Sequence, residues 1–407
     1  MDITIDGTTE QRLQGFLDGI GDVLGTPQRR ENFARYALGL IGDGDRKSVE
    51  PIAARAGASV AQMDAAHQRL LHFITDSAWD DHAVRLAATR YALAPMTRTA
   101  LPWAWIVDDT GFLKQGKHSV GVQRQYTGSA GKVTNCQVGV SLSIATPQDH
   151  VPVDFELYLP TCWANDPARR AEARIPDDVV FRTKPQLALA MLRRAVKADL
   201  PRGTVLADEG YGNSPEFREG CRKLHLDYAV SVSNTTRVWL VDALGRRHGD
   251  ALPARDLAAR LAADAVFRRY TWREGAGGSL SARFAFVRVV PTADDGHEPR
   301  RRDRVWLICE WRDDDDAPLH FHLATYKRMP FVQLVHLLKE RWRTERVYQD
   351  LKGELGLDHF EGRRFRGWHH HVSVALCCFA FLAAERARAF PPSTLGAQDA
   401  RAFGLAA

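Results

Sequence analysis

The sequence predicts an α/β protein with an N-terminal helical domain, a core of mixed strands and helices, and a β-rich insertion. Three observations carry this. Apolar residues recur at three- and four-residue spacing up to about residue 95, the period of a helix face. From residue 101 the chain turns β-rich, in three stretches separated by Gly, Lys and Ser turns. Between 204 and 232 an apolar strand, a helical stretch and a second strand alternate, which means a parallel crossover.

The first helical runs lie at 33–41 and 63–73, with Ser59 a candidate cap and Ser48 another, before a run that includes Ile52. The β-rich stretches 103–109, 119–126 and 133–145 read as a three-stranded meander. A helix is expected over 185–198, then a strand over 204–208, a helix over 214–225 and a strand over 228–232. β-like pieces return at 237–241, 283–290 and 304–311, broken by polar loops. Two helices, 330–354 and 366–388, close the chain. These elements divide it into an N-terminal helical domain (1–97), a core in two parts (98–235 and 319–390), an insertion (236–318) and a tail (391–407).

Of 407 residues, 45% are hydrophobic and 26% charged, enough for two or three cores, which excludes disordered, collagenous and coiled-coil chains. The longest nearly unbroken apolar run, 372–384, has 13 residues and includes Ser373. That is short of the roughly 18 to 20 that cross a bilayer, so a buried helix is expected. The first residues show neither a basic nor an apolar leader pattern, so a cytoplasmic protein is expected. Six cysteines without a CxxC pair are read as reduced and mostly buried. A net charge of +5 is compatible with a polyanion partner, and Lys114, Lys117 and Lys132 cluster in one 19-residue stretch.

Two-metal phosphoryl transfer needs carboxylate oxygens around two hard cations roughly 3.5 to 4 Å apart. Aspartates at the ends of two strands and a glutamate on a later helix supply such a set, since strand ends facing one crevice are where open α/β sheets place ligands. The chain offers Val107-Asp-Asp-Thr110, Val205-Leu-Ala-Asp-Glu-Gly-Tyr-Gly212 and the segment 341–352. There Arg341, Glu345, Tyr348 and Lys352 are spaced four, three and four, and share one helix face. The plainer reading of that spacing alone is an exposed helix with an Arg341 to Glu345 ion pair.

Several motifs then agree. Asp109-Thr-Gly-Phe-Leu-Lys-Gln-Gly-Lys-His-Ser-Val-Gly-Val122, Gln125-Tyr-Thr-Gly128, Asn135-Cys-Gln-Val138, Glu354-Leu-Gly-Leu-Asp-His-Phe-Glu-Gly-Arg363 and Gly367-Trp-His-His-His371 stand in order along the chain. With the Arg-x3-Glu-x6-Lys of 341–352, they resemble the DDE transposases of bacterial insertion sequences that carry a Tyr-Arg-Glu-Lys signature, and more narrowly the family named after insertion sequence 701. The likeness runs from about residue 30 to 385. It implies an RNase H-like catalytic core in which Asp109, Asp208 and Glu345 are the catalytic carboxylates and hold two Mg²⁺, for which Mn²⁺ can substitute. Asp109 is chosen over Asp108 because the resemblance aligns the acid directly before Thr110, and because strand alternation turns Asp108 to the opposite face. Asp208 is chosen over Glu209 in the same way. One departure is Leu338, which stands where the signature has its Tyr.

The resemblance also places a β-rich insertion at 236–318, where one of Trp239, Trp272, Trp306 and Trp311 could stack on an unpaired base, although packing is the commoner role. DNA contacts are expected from Arg341, Tyr348 and Lys352, and from Lys114, Lys117 and His118 in a Gly-bearing loop that lets backbone approach phosphates. Arg124, Lys132, Arg363, Arg364 and Arg366 are similar candidates. The His369 to His371 run is read as helix packing or phosphate contact, because consecutive helical positions point about 100° apart and cannot chelate one ion. The acidic run 313–316 is read as a solvated turn. The expected function is a transposase that binds double-stranded DNA at terminal inverted repeats through its N-terminal domain, cuts there, and joins the freed 3′-OH to target DNA. It would work as a homodimer, nucleoid-associated when bound. Two other readings stay open: a metal-dependent nuclease without strand transfer, and a non-catalytic DNA-binding protein of transposase descent. Three carboxylates that repel DNA speak against the last.

Overall fold

The computed structural model describes residues 7–56, 59–98, 100–242, 246–273, 279–292, 304–326 and 329–390, so the expected tail 391–407 lies outside the described residues. The chain opens with α1 (Gly7–Leu24), α2 (Pro27–Ile41), α3 (Val49–Ala56), α4 (Val60–Thr75) and α5 (Asp81–Met96). Strands β1 (Ala104–Leu113), β2 (Gln123–Thr127), β3 (Lys132–Ala145) and β4 (His150–Tyr158) follow, then α6 (Thr161–Ala164), α7 (Pro167–Ala173) and α8 (Lys184–Lys197). Next come β5 (Thr204–Ala207), α9 (Glu209–Gly212), α10 (Pro215–Lys223), β6 (Tyr228–Val232), β7 (Arg237–Val241), β8 (Arg247–Pro253) and α11 (Ala254–Ala263). The chain continues with β9 (Arg268–Arg273), β10 (Leu280–Pro291), β11 (Val305–Trp311), β12 (His320–Ala324), α12 (Phe331–Lys339), α13 (Trp342–Gly353) and α14 (Phe365–Ala389). This is a mixed α/β protein with N-terminal helices. Two compact units are present: the first takes the described residues up to Pro102, Asp108–Met191 and those from Arg343 on, and the second Trp103–Val107 and Leu192–Trp342.

In the first unit the helix starts are capped as their residues dictate. Thr26 accepts from the Arg29 amide ahead of Pro27, Ser59 from Gln62, and Asp80 from Ala83. Helix α14 is buried almost all round, against α5, α2, α4 and β4, which accounts for the apolar run at 372–384. Its three consecutive histidines go three ways. His369 Nδ1 lies 3.1 Å from the Phe365 carbonyl; His370 stacks on Trp79 with ring centroids 3.7 Å apart; His371 Nδ1 accepts from the Tyr36 hydroxyl at 2.9 Å. They pack a helix and share no ligand. No helix among the described residues is long and apolar enough to cross a membrane. All six cysteines are free thiols, and five are buried.

A buried cation ties α5, β4 and α14 together. Arg85 is only 2% exposed and donates to Asp81 (2.6 Å) and Ser373 (2.6 Å), with Asp154 at 3.2 Å. Replacing Arg85 by Leu leaves two carboxylates without their cation, and the expected loss is about 3–5 kcal/mol of stability. Urea denaturation of the variant measures it, and a loss below 1 kcal/mol would show that the pair sites resolvate.

The β region of this unit differs from a meander. β3 pairs antiparallel with β2 (Gln123↔Cys136 to Thr127↔Lys132) and with β4 (Val138↔Tyr158 to Ala145↔His150). β1 lies beside β3 rather than β2, with the Lys114 amide donating to the Asn135 carbonyl at 3.0 Å. The connection 114–122 carries the chain past β3 before β2 begins, so the first stretch joins the third.

In the second unit the strand order is β1-β5-β6-β12-β11-β10-β7-β8, with β9 on β10. β1, β5 and β6 run parallel, in register at Ile106↔Leu206 and Val205↔Tyr228. That is the crossover expected from strand, helix, strand. The remaining pairs are antiparallel. The single helix expected at 330–354 is two helices, α12 and α13, broken at residues 340–341. The last turn of α12 tightens, with the Glu340 amide donating to the Leu337 carbonyl at 3.0 Å, and its buried stripe Leu334, Val335, Leu337 and Leu338 ends there.

Candidate active site

The first strand does not end at the Asp-Asp-Thr motif as the sequence suggested: β1 runs on to Leu113, and within it Asp109-Thr-Gly111 is bracketed by two lysines of the first unit. Lys184 opens α8, whose start is fixed by a reciprocal pair: the Thr183 amide donates to Gln186 Oε1 at 3.1 Å, and the Gln186 amide to Thr183 Oγ1 at 3.4 Å. From this position Lys184 Nζ reaches both carboxylate oxygens of Asp109, at 3.1 and 3.0 Å. Lys352, in the last turn of α13, donates to Thr110 Oγ1 and the Gly111 carbonyl, both at 2.8 Å, and to Ser129 Oγ at 3.1 Å. Burial lowers its pKa. Gly111 has to be glycine, since a Cβ there would stand 2.0 Å from Thr127 Oγ1.

Strand alternation sorts the two aspartates. Thr110 meets Lys352 of α13, and Asp108, two residues away, shares its face; Asp109 turns to the other face, where α8 supplies Lys184. Asp108 is 9% exposed and its Oδ1 accepts from the Asp109 amide at 2.9 Å. Asp109 is half-buried.

Glu345 lies exposed in the first turn of α13. One turn on, Tyr348 is buried, its hydroxyl 2.6 Å from Ser141 Oγ on β3. Tyr348 therefore anchors the helix to the sheet. Tyr348→Phe is expected to lower stability by about 1 kcal/mol, read as a shift in urea midpoint; no shift would mean that Ser141 finds another partner. Arg341 lies in the break at 340–341 and is half-buried.

In the second unit Asp208 follows β5 and caps α9, its Oδ1 accepting from the Gly210 amide at 2.9 Å. Gly212 of the same motif lets the turn press on β6, since a Cβ there would stand 1.9 Å from the Ser231 carbonyl oxygen. Glu209 is exposed and lines a cleft with Ser231, Asn234, His320 and His322. The four tryptophans of 236–318 are half-buried and engaged: Trp239 with Arg247, Trp272 with Lys339, Trp306 with Arg288 and Phe331, Trp311 with Arg283. The acidic run begins at a turn, where Asp313 pairs with Arg269 at 2.7 Å.

The remaining predicted DNA contacts differ in exposure and in their partners within the protein. Lys117, Arg124, Lys132 and Arg363 are exposed, Arg124 and Lys132 on the β2–β3 hairpin beside the 64%-exposed Tyr126. Three others are engaged within the protein. Lys114 Nζ donates to the Phe360 carbonyl at 2.7 Å, and burial lowers its pKa; His118 pairs with Glu172 at 2.8 Å; Arg364 pairs with Asp76. Arg366 also donates to the Asp76 carbonyl, at 3.0 Å.

Carboxylate oxygens suit a hard divalent cation; at Asp109 the Lys184 ammonium spans both of them. A second cluster, His82, Asp154 and Glu156, brings ligand atoms within 4.8 Å of one another. There the Arg85 guanidinium, 3.2 Å from Asp154 and bonded to His82, already supplies the positive charge.

The family model described as DDE superfamily endonuclease matches residues 20–279, and the one described as transposase DDE domain matches residues 182–381. The chain belongs to the DDE superfamily of endonucleases. It is also similar to the probable transposase for insertion sequence element IS701 of Microchaete diplosiphon, at 30% identity over 219 residues. That alignment covers 54% of this chain and 52% of the relative, so the chain spans about half the length of the curated relative it matches.

Proposed function

We propose that the chain is a transposase that recognises the ends of its own insertion element, cuts the DNA there, and joins the freed 3′-OH to target DNA. Its core would be RNase H-like, with Asp109, Asp208 and Glu345 holding two Mg²⁺. The observation that carries this reading is membership of a DDE family combined with an Asp-Thr-Gly stretch of β1 whose carboxylate is paired with the Lys184 ammonium. When bound, the ions would supply an activated water, later an oriented 3′-OH, and a counter-charge for the leaving oxygen.

The chain's own residues do the rest. Lys352, fixed on Thr110 and Gly111, holds this stretch of β1 against α13 and so sets where Glu345 stands. The exposed Lys117, Arg124, Lys132 and Arg363 would meet phosphates without reading sequence, while the N-terminal helices would read the terminal repeats. A homodimer follows from the need to cut and join two ends together, and a nucleoid-associated cytoplasmic protein from its substrate.

The test is a plasmid carrying both element ends, incubated with the full chain and Mg²⁺ or Mn²⁺, against the same reaction with chelator. Metal-dependent cuts at the ends together with joined products are expected. Cuts without joining would replace this reading by a nuclease, and binding without cuts by a non-catalytic DNA-binding protein.

A further inference from the structure

The lysine on Asp109 is placed against local preference. Lys184 occupies the first turn of α8, where the helix dipole disfavours a cation, and the reciprocal Thr183–Gln186 pair, not Lys184, satisfies the helix start. A long, flexible side chain is nevertheless held with its ammonium across both oxygens of one carboxylate, at 3.1 and 3.0 Å. Lys184 is one-third exposed and Asp109 about a fifth, so solvent and ions can reach the pair.

A divalent ion bonds carboxylate oxygens at roughly 2.0–2.1 Å when it is Mg²⁺-like, and so competes with an ammonium that spans both of them. We infer that Lys184 is a positioning residue for Asp109: it holds the carboxylate oriented and charge-balanced before metal arrives, and yields its place when a divalent cation binds. This rests on the reading of Asp109 as a metal ligand. Lys184 thereby sets the threshold concentration at which the site loads.

The test is Mn²⁺ titration of the full chain without DNA, following free Mn²⁺ by electron paramagnetic resonance, for the unaltered protein and for Lys184→Gln, Lys184→Arg and Asp109→Asn. Removing a partly exposed competing cation is expected to tighten the stronger Mn²⁺ site about fivefold in Lys184→Gln. Lys184→Arg restores the charge and is expected to return the affinity to the unaltered value, which a merely structural role would not do. Asp109→Asn is expected to lose that site. Unchanged or weaker Mn²⁺ binding in Lys184→Gln, with the site lost in Asp109→Asn, overturns the role of Lys184 while leaving the catalytic reading intact. Full Mn²⁺ binding in Asp109→Asn removes Asp109 from the metal site and overturns both. Tightening in Lys184→Gln that Lys184→Arg fails to reverse overturns the charge competition, because only the loss of lysine's shape would then matter.

Discussion

Glu345→Gln, Asp109→Asn and Asp208→Asn are each expected to lower metal-dependent cleavage of element ends by on the order of 10²- to 10³-fold, the loss seen when one preorganised stabiliser of developing charge is removed. The amides keep the size of the acids but not the charge that hard cations require. DNA binding should be retained or slightly strengthened, since a carboxylate that repels phosphate has gone. Asp108→Asn is the control that decides the first position. Asp108 shares a strand face with Thr110, which meets α13, the helix of Glu345, whereas Asp109 faces α8 and Lys184. Activity that survives Asp109→Asn and disappears in Asp108→Asn would exchange the two; activity that survives Glu345→Gln would move the third carboxylate to Glu354, Asp358 or Glu361.

Much of the fold was legible from residue pattern, because its segments were locally consistent. The strand 228–232 and the parallel crossover before it come from an apolar run, a helical stretch and another apolar run, with little else to compete. What was not legible needed partners distant in sequence. β4 escapes a propensity reading because Pro152, Asp154 and Glu156 interrupt it, yet the two acids sit where α5 and α14 bring Arg85 and His369. The order β2-β3-β1 depends on where the 114–122 connection crosses, and no local signal records that.

Of the candidate site, the acidic positions were visible as motifs, and their assignment stands as a proposal. Lys184 was missed because it lies 75 positions from Asp109. A signal for its placement existed in Thr183-Lys-Pro-Gln186, a capping pair that fixes where the helix starts and so where Lys184 points. The shared face of Arg341, Glu345, Tyr348 and Lys352 held only in part. Spacing says which residues align on a continuous helix but not whether the helix is continuous, nor which side of it is buried; here it breaks at 340–341 and turns Tyr348 inward.

Stability should fall steadily as the pH is lowered from about 6.5 to 4, and three histidines of the first unit, His370 and His371 buried and His150 half-buried, set that window. Burial pushes His150 down to about 3, with Arg386, Arg343 and Arg346 adding to it, and lowers His370 and His371 to about 4 from an ordinary 6.5. Above 6.5 the folded and unfolded chains both carry these rings neutral, and pH has no leverage through them. Below it the unfolded chain binds protons that the folded chain refuses, so unfolding is favoured with a slope of up to about 1.4 kcal/mol per pH unit for each ring, until the folded rings titrate. Acids extend the effect downward. Asp81, held below the usual carboxylate range by Arg85 in spite of its burial, contributes stability that is present above pH 3.8 and lost as the pH falls further. Thermal melts of the full chain between pH 8 and 4 check this: a plateau above about 7 and a decline beginning near 6.5 are expected. A melting temperature that stays level down to pH 4.5 would mean that the α14 histidines take up protons in place, with the carbonyls of Ile74, Trp79 and Gly356 sufficient to hold the charge.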